Sequence, residues 1–290
     1  MAENNLKNEP YRVLARKYRP KSFDELIGQD ALVRTLTNAI ETGRIAHAFM
    51  MTGVRGVGKT TTARIIAKAL NYAGPDGKAG PTTGDTSDCP ICQAITEDRH
   101  PDVIEMDAAS RTGVDDIREI LDGVRYAPVE ARYKVYVIDE VHMLSKNAFN
   151  ALLKTLEEPP EHVKFIFATT EIRKVPVTVL SRCQRFDLRR VDVPTLSAHY
   201  ASICEKEGVK CDDAAITMIA RAADGSVRDG LSLLDQAIAT GGTVITADQV
   251  QVMLGLGDKT KNLDLLEHVL SGNVAEALDI MDGLYASGLD

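Results

Sequence analysis

Gly53-Val54-Arg55-Gly56-Val57-Gly58-Lys59-Thr60 fits the pattern G-x-x-x-x-G-K-[ST], a spacing suited to wrapping a polyphosphate. Glycines let successive backbone N–H groups turn toward phosphate oxygens, and the positive end of the following helix adds to that field. Lys59 would reach the outer phosphates, the Thr60 hydroxyl would hold a magnesium ion, and Thr61 would open the helix beside them. Further along, the apolar run Val135–Ile138 ends in Asp139 and Glu140. Ligands sit at strand ends in open parallel sheets, so Asp139 would help hold the magnesium and Glu140 would orient and polarise an attacking water. A water activator marks a hydrolase, whereas a nucleotide kinase does not need one there. An ordinary charged strand exit is the plainer reading of the acidic pair, and it loses force beside the glycine-rich loop.

Other residues carry weaker signals. Thr169 and Thr170 end the next apolar run, where a hydroxyl could bond the terminal phosphate or the lytic water, although Thr is common in strands. Ser181-Arg182-Cys183 follows a Pro-containing stretch, where an arginine could project outward from the nucleotide domain; from spacing alone a solvated surface arginine is favoured. Cys89 and Cys92 form a C-x-x-C, half of a tetrahedral zinc site, with His100 the nearest histidine. The alternative is a metal-free loop with free thiols. Cys183, Cys204 and Cys211 read as small packing or surface residues, and Asp115–Glu119, with Arg118, as a solvent-facing helix side.

These residues must be held by elements whose periods are legible. AFMMTG, DVIEMDA, KVYVIDE and VKFIFATT read as strands alternating with helical stripes, the pattern of a parallel sheet flanked by helices, an α/β fold. Ile117, Ile120, Leu121 and Val124 fall at i, i+3, i+4 and i+7, and Phe149, Leu152, Leu153 and Leu156 repeat the spacing. After about Val193 the strands stop and helical patterns take over, which predicts a small all-helical second domain. Two further helices, near Asn262–Leu270 and Val274–Tyr285, run toward Asp290 and suggest the start of a third. The expected domains are thus 1–192 (with a 72–100 insertion carrying the C-x-x-C), 193–257 and 258–290.

Composition narrows the classes. The 290 residues are 44% hydrophobic and 26% charged, which is globular rather than disordered. Only 5% are aromatic and none is Trp, which argues against base-stacking platforms. The net charge of -8 argues against a protein that coats nucleic acid over its whole surface. Local basic patches survive, however. Residues 7–21 carry Lys7, Arg12, Arg16, Lys17, Arg19 and Lys21 against Glu9 alone, and residues 171–190 carry six basic groups against two acidic ones. No apolar run approaches the ~20 residues that span a bilayer, the N-terminal residues lack a signal-peptide core, and five unpatterned cysteines fit a reducing compartment. A cytoplasmic protein with no membrane partner is expected.

Taken together, GVRGVGKT, DAASRTGVDDIRE, VYVIDEVHMLSKNAFNALLKTLEEPPEHVKFIFATTE, VPVTVLSRCQRF and GSVRDGLSLLDQAI resemble the gamma/tau subunits of the bacterial DNA polymerase III clamp loader, AAA+ ATPases, over residues 10–257. The resemblance implies an AAA+ P-loop domain, a helical lid and the start of a helical collar, incomplete here. It implies ATP and magnesium as ligands. Partners would be copies of the chain, the delta and delta-prime subunits, the beta sliding clamp and primed DNA. The nucleotidyltransferase label would belong to the polymerase holoenzyme rather than to this subunit's chemistry. By the same resemblance Arg182 acts in trans on a neighbour's ATP, Arg228 of the GS-x-R-D run is a nucleotide sensor in the lid, and the segment centred on Tyr18, Arg19 and Pro20 packs around adenine. Arg111 and Lys154 become candidates for DNA backbone contact, which positions a duplex without reading sequence. The family usually has four cysteines in the insertion, and this chain has Tyr72 and Thr86 where the first two are expected. Two rival readings are a branch-migration or helicase-type motor, which would share DEVH, and a delta-prime-like stator, which shares SRC without hydrolysing ATP. The SRC run with the C-x-x-C insertion opposes the first, and intact Lys59, Thr60, Asp139 and Glu140 oppose the second.

Overall fold

The computed structural model describes residues 11–255 and 259–286, without the side chains of 259–262, 285 and 286. Lys7 and Glu9 of the basic N-terminal segment, and the expected boundary at 257/258, lie outside them. In chain order the elements are α1 (Leu14–Lys17), α2 (Asp30–Glu41), β1 (Ala48–Thr52), α3 (Lys59–Asn71), α4 (Pro90–Thr96), β2 (Val103–Asp107) and α5 (Val114–Val124). Then come β3 (Lys134–Asp139), α6 (Lys146–Glu157), β4 (Val163–Thr169), α7 (Val177–Leu180) and β5 (Gln184–Asp187). The remainder is α8 (Val193–Glu207), β6 (Lys210–Cys211), α9 (Asp213–Ala222), α10 (Val227–Gly241), β7 (Val244–Ile245), α11 (Ala247–Met253), α12 (Lys259–Ser271) and α13 (Val274–Ala286). The described residues divide into two compact units, one of residues 18–191 and one of the helices from 192 onward together with residues 11–17.

In the first unit five parallel strands stand in the order β2-β3-β4-β1-β5. Strand residues alternate between faces, so both faces are apolar and both are covered. Met50, Tyr136, Ile138, Phe165 and Phe167 pack with α5 and α6 on one side. Phe49, Met51, Val135, Val137 and Ile166 pack with α2 and α3 on the other. Burying each such side chain is worth about 1.5–3 kcal/mol. Tyr136, Phe165 and Phe167 stack in a row with centroids 5.5 and 5.7 Å apart. The loop entering β3 hangs on Asp102, whose carboxylate accepts N–H bonds from Val129, Glu130 and Ala131 at 2.8–2.9 Å. Burial alone would raise its pKa, but these three donors more than offset it and hold the carboxyl below its ordinary value. The edge strand β5 is absent from the sequence expectation because only Phe186 of its residues is buried.

The second unit is helical but not strand-free. β6 and β7 form a two-residue parallel pair, Lys210 beside Val244 and Cys211 beside Ile245, too short for a period-2 signal. Side-chain caps start three helices: Asp192 accepts from Thr195 N–H, Ser226 from Asp229 N–H and Thr246 from Gln249 N–H. Residues 11–17 belong here rather than with residues 18–191, where the expected 1–192 domain had placed them. Leu14 is buried, its N–H reaches Asp235 Oδ2 at 3.4 Å, and Lys17 pairs with Glu207 at 2.6 Å. In α12 and α13, Leu263, Leu266, Val269, Leu278 and Met281 are exposed. Among the described residues no helix is long and apolar enough to cross a membrane, and no disulfide is formed among the five cysteines.

Gly230 is fixed by a close approach. A Cβ built there would stand 1.9 Å from the hydroxyl oxygen of fully buried Tyr200 and 2.9 Å from the Ala223 Cβ. Ala favours a helix over Gly by about 1 kcal/mol, yet overpacking costs about 1–3 kcal/mol. Gly230→Ala should therefore lower the midpoint of thermal unfolding of this unit; an unchanged or higher midpoint would show that the helices separate freely at this contact.

Candidate functional site

The glycine-rich loop runs from the end of β1 into α3. Gly53 sits at φ +153°, and a Cβ on it would lie 2.8 Å from the Leu188 carbonyl, so only glycine lets the loop start this close to the chain leaving β5. Gly58, at φ +99°, turns the chain into α3, and a Cβ built there would meet nothing within 4 Å. Val57 is buried, while Arg55 is exposed and Val54 and Gly56 are intermediate. Lys59 is 6% exposed and folds over the loop, its Nζ donating to the Gly53 and Val54 carbonyls at 3.1 Å each. Burial pushes its pKa down, and the charges of Glu140 and Asp139 oppose that shift. An ammonium that has lost water and rests on two carbonyls suits a polyphosphate.

The Thr60 hydroxyl donates to Asp139 Oδ2 at 2.5 Å. A hydroxyl and a carboxylate meeting at the C-terminal ends of the strands form the hard-oxygen donor set that suits magnesium completed by phosphates and water. Glu140, the next residue, has φ +45° and ψ +44°, a left-handed conformation uncommon for a non-glycine residue. Its Oε2 accepts from the Thr170 N–H at 3.0 Å and from the Thr170 hydroxyl at 2.9 Å. Thr170, expected to face phosphate or water, is here engaged with the carboxylate expected to act on that water.

Elsewhere the structure adds partners that spacing could not supply. Arg19 Nε donates to Thr61 Oγ1 at 3.0 Å, which brings the segment of Tyr18, itself half-buried, against the start of α3. Arg182 is held: Nη2 pairs with Glu157 at 2.6 Å and Nη1 donates to the Thr178 carbonyl at 2.6 Å. Arg111, after β2, and Lys154, on α6, are exposed. Arg228 is exposed in the first turn of α10, in the helical unit. His142 entered the sequence reading only as the last residue of DEVH and was given no role, yet its ring lies 3.3 Å from Glu140 and 3.0 Å from Thr169; its place two residues beyond the acidic pair is the signal that could have found it.

Cys89 and Cys92 are buried, but among the described residues no three His, Cys, Asp or Glu side chains gather to hold a metal ion. Tyr72 is instead a phenol 3.2 Å from Asp88. Burial pushes the Cys89 thiol up, but backbone N–H groups led by that of Ala73 more than offset it and leave its pKa lowered. Burial and the neighbouring thiol push Cys92 up to about 12, and its Sγ donates to the Lys68 carbonyl at 3.5 Å. Two sulfurs with no further ligand side chains gathered beside them among the described residues make only half of a closed four-ligand zinc site.

The strand order, the glycine-rich loop and the acidic strand end define an AAA+ P-loop NTPase fold with a helical lid. Solved structures agree on the fold: the Thermotoga maritima RuvB Holliday junction branch migration motor superposes with a TM-score of 0.60 at 21% identity, over 87% of this chain and 79% of that one. Three sequence families match in succession: "DNA polymerase III, delta subunit" over residues 28–192, "DNA polymerase III clamp loader subunit, ATPase lid domain" over 195–243, and "DNA polymerase III subunits gamma and tau domain III" over 245–290. The Haemophilus influenzae DNA polymerase III subunit tau/gamma is 50% identical over 91% of this chain and 38% of its own length. The Escherichia coli subunit tau is 46% identical over 97% and 43%. The subunit gamma of Buchnera aphidicola subsp. Acyrthosiphon pisum is 42% identical over 97% and 76%. This chain belongs to the DNA polymerase III gamma/tau family, and it spans about two fifths of the first two of these relatives.

If the two cysteines pack rather than ligate, chelation should cost nothing. Dialysis against a strong chelator should leave thermal unfolding unchanged and release less than ~0.1 equivalent of zinc per chain to a colorimetric indicator. One equivalent released with a fall in the unfolding midpoint would contradict the packing account.

Proposed function

We propose that this chain is an ATP-hydrolysing motor subunit of the DNA polymerase III clamp loader, which loads the beta sliding clamp onto primed DNA. The observation that carries the reading is the Thr60–Asp139 contact of 2.5 Å beside a buried Lys59, with Glu140 next in the chain. Backbone N–H groups of Gly53–Thr60 bind the ATP phosphates, and Lys59 exchanges the Gly53 and Val54 carbonyls for the outer ones. Thr60 and Asp139 would hold magnesium, which supplies charge neutralisation of the phosphate oxygens. Glu140 orients the attacking water and takes up its proton through the carboxylate oxygen that Thr170 does not hold.

The remaining assignments follow family membership. Tyr18 packs near the adenine, Arg228 reads the nucleotide from the lid, and Arg182 gives up Glu157 to stabilise charge on the ATP of a neighbouring copy. Arg111 and Lys154 touch the DNA backbone. Copies of this chain, delta and delta-prime complete the assembly.

The test is ATP hydrolysis by the chain mixed with delta and delta-prime, with and without clamp plus primed DNA, with Lys59→Ala as the blank. Stimulation that needs both clamp and primed DNA and vanishes in Lys59→Ala is the expected result. Slow hydrolysis indifferent to either would contradict the loader reading. Arg182→Ala should bind ATP normally while hydrolysis in the assembly falls by up to ~10³-fold; equal loss of binding and hydrolysis would contradict action in trans.

A further inference from the structure

The chemistry above uses Asp139 and Glu140 and leaves the histidine two residues later without a role. His142 follows β3 in a single 3-10 turn, Val141–Met143, and its side chain is only 7% exposed. A buried imidazole needs partners at its nitrogens, and this one finds them at the end of β4. Nδ1 lies 3.0 Å from the Thr169 hydroxyl and 3.3 Å from Glu140 Oε2, while Nε2 lies 3.5 Å from Glu171 Oε1. Thr169 Oγ1 also accepts the Glu171 backbone N–H at 3.0 Å, so the turn after β4 is fixed against the ring. Lys174 pairs with Glu171 at 2.8 Å on its outer side. With its proton on Nδ1, or with both nitrogens protonated, the ring turns an N–H toward Glu140; with the proton on Nε2 the N–H faces Glu171 and Nδ1 accepts from the Thr169 hydroxyl.

We propose that His142 is a positioning residue for ATP hydrolysis, its ring tying Glu140 to the Thr169–Glu171 turn and setting where the Glu140 carboxylate rests against Thr170. The inference rests on the ATPase reading above. An apolar filler of the same size would pack this turn as well, so the use of imidazole lies in its nitrogens. Nδ1 is hydrogen-bonded to the hydroxyl of the residue that precedes Thr170 and lies 3.3 Å from the water-orienting carboxylate. The ring acts through Glu140: Thr170 holds the carboxylate from β4, His142 holds it from β3, and a shift of either strand end is felt by the other through the ring. Small misplacements of a reacting group are costly, ~10²-fold for about 1 Å.

The experiment compares wild type, His142→Phe, His142→Asn and Glu140→Gln in the full assembly with clamp and primed DNA. His142→Phe keeps the volume without the nitrogens and should lower kcat at least ~10-fold with KM for ATP within about twofold, the pattern of a group felt only in the transition state. His142→Asn restores a polar group near the Nδ1 position and should recover most of that loss. An unchanged kcat in His142→Phe, or equal losses in both variants with a matching rise in KM, would overturn the proposal. A second measurement needs no turnover. In the chain labelled with 15N-histidine, the His142 ring resonances, identified by their loss in His142→Asn, should move in Glu140→Gln and in Thr169→Val. Unmoved resonances would overturn the proposal, whereas shifted resonances in a chain whose wild type never exceeds Glu140→Gln in turnover would leave the ring's hold on Glu140 standing and refute the ATPase reading.

Discussion

A hydroxyl from the first turn of α3 meeting a carboxylate from the end of β3 is the contact around which the site is built. Thr60 and Asp139 lie 2.5 Å apart, yet their strands are not neighbours: β4 stands between β1 and β3. Their meeting therefore depends on the register of three parallel strands, Thr52 beside Thr169 in one pair and Ile138 beside Phe167 in the next. A slip of one residue would turn every side chain of a strand to the opposite face, so the two apolar faces that hold the sheet also hold the site. The all-buried pattern of β1 and β4 serves the chemistry by forbidding such a slip.

The second constraint is electrostatic. Lys59, Asp139 and Glu140 bring one cation and two anions together at the strand ends, and Lys59 has lost most of its water. Each charge is met by a specific partner: carbonyls for Lys59, the Thr60 hydroxyl for Asp139 and Thr170 for Glu140. All are partners that a ligand could replace with stronger ones. Arg182 follows the same pattern, its guanidinium resting on Glu157 and a carbonyl. The arrangement is one of charges satisfied internally, by groups that a bound nucleotide would have to displace.

Much of this was legible in the chain. The glycine loop, the acidic strand end, four strands and the helices after Val193 announce themselves because their signals are local: a motif, a run of apolar residues, a 3.6 period. What escaped depends on distant partners or on elements too short for a period. β5 buries only Phe186, and β6 and β7 have two residues each. The grouping of Leu14 and Lys17 with the helical unit rests on Asp235 and Glu207, roughly two hundred residues away. His142 shows its role only when Thr169 and Glu171 arrive beside it through the pairing of β3 with β4. The C-x-x-C was legible as half of a zinc site and no more, and among the described residues no further ligand side chains gather beside it.

The most direct test of the account is the affinity of this chain for ATP, measured with magnesium and with chelator, in wild type and in Thr60→Val. The Thr60–Asp139 pair predicts tighter binding with magnesium in wild type, and in Thr60→Val the loss of most of that gain with no change in thermal unfolding. A Thr60→Val chain that keeps the full magnesium-dependent gain would contradict the claim that this contact is the metal's seat.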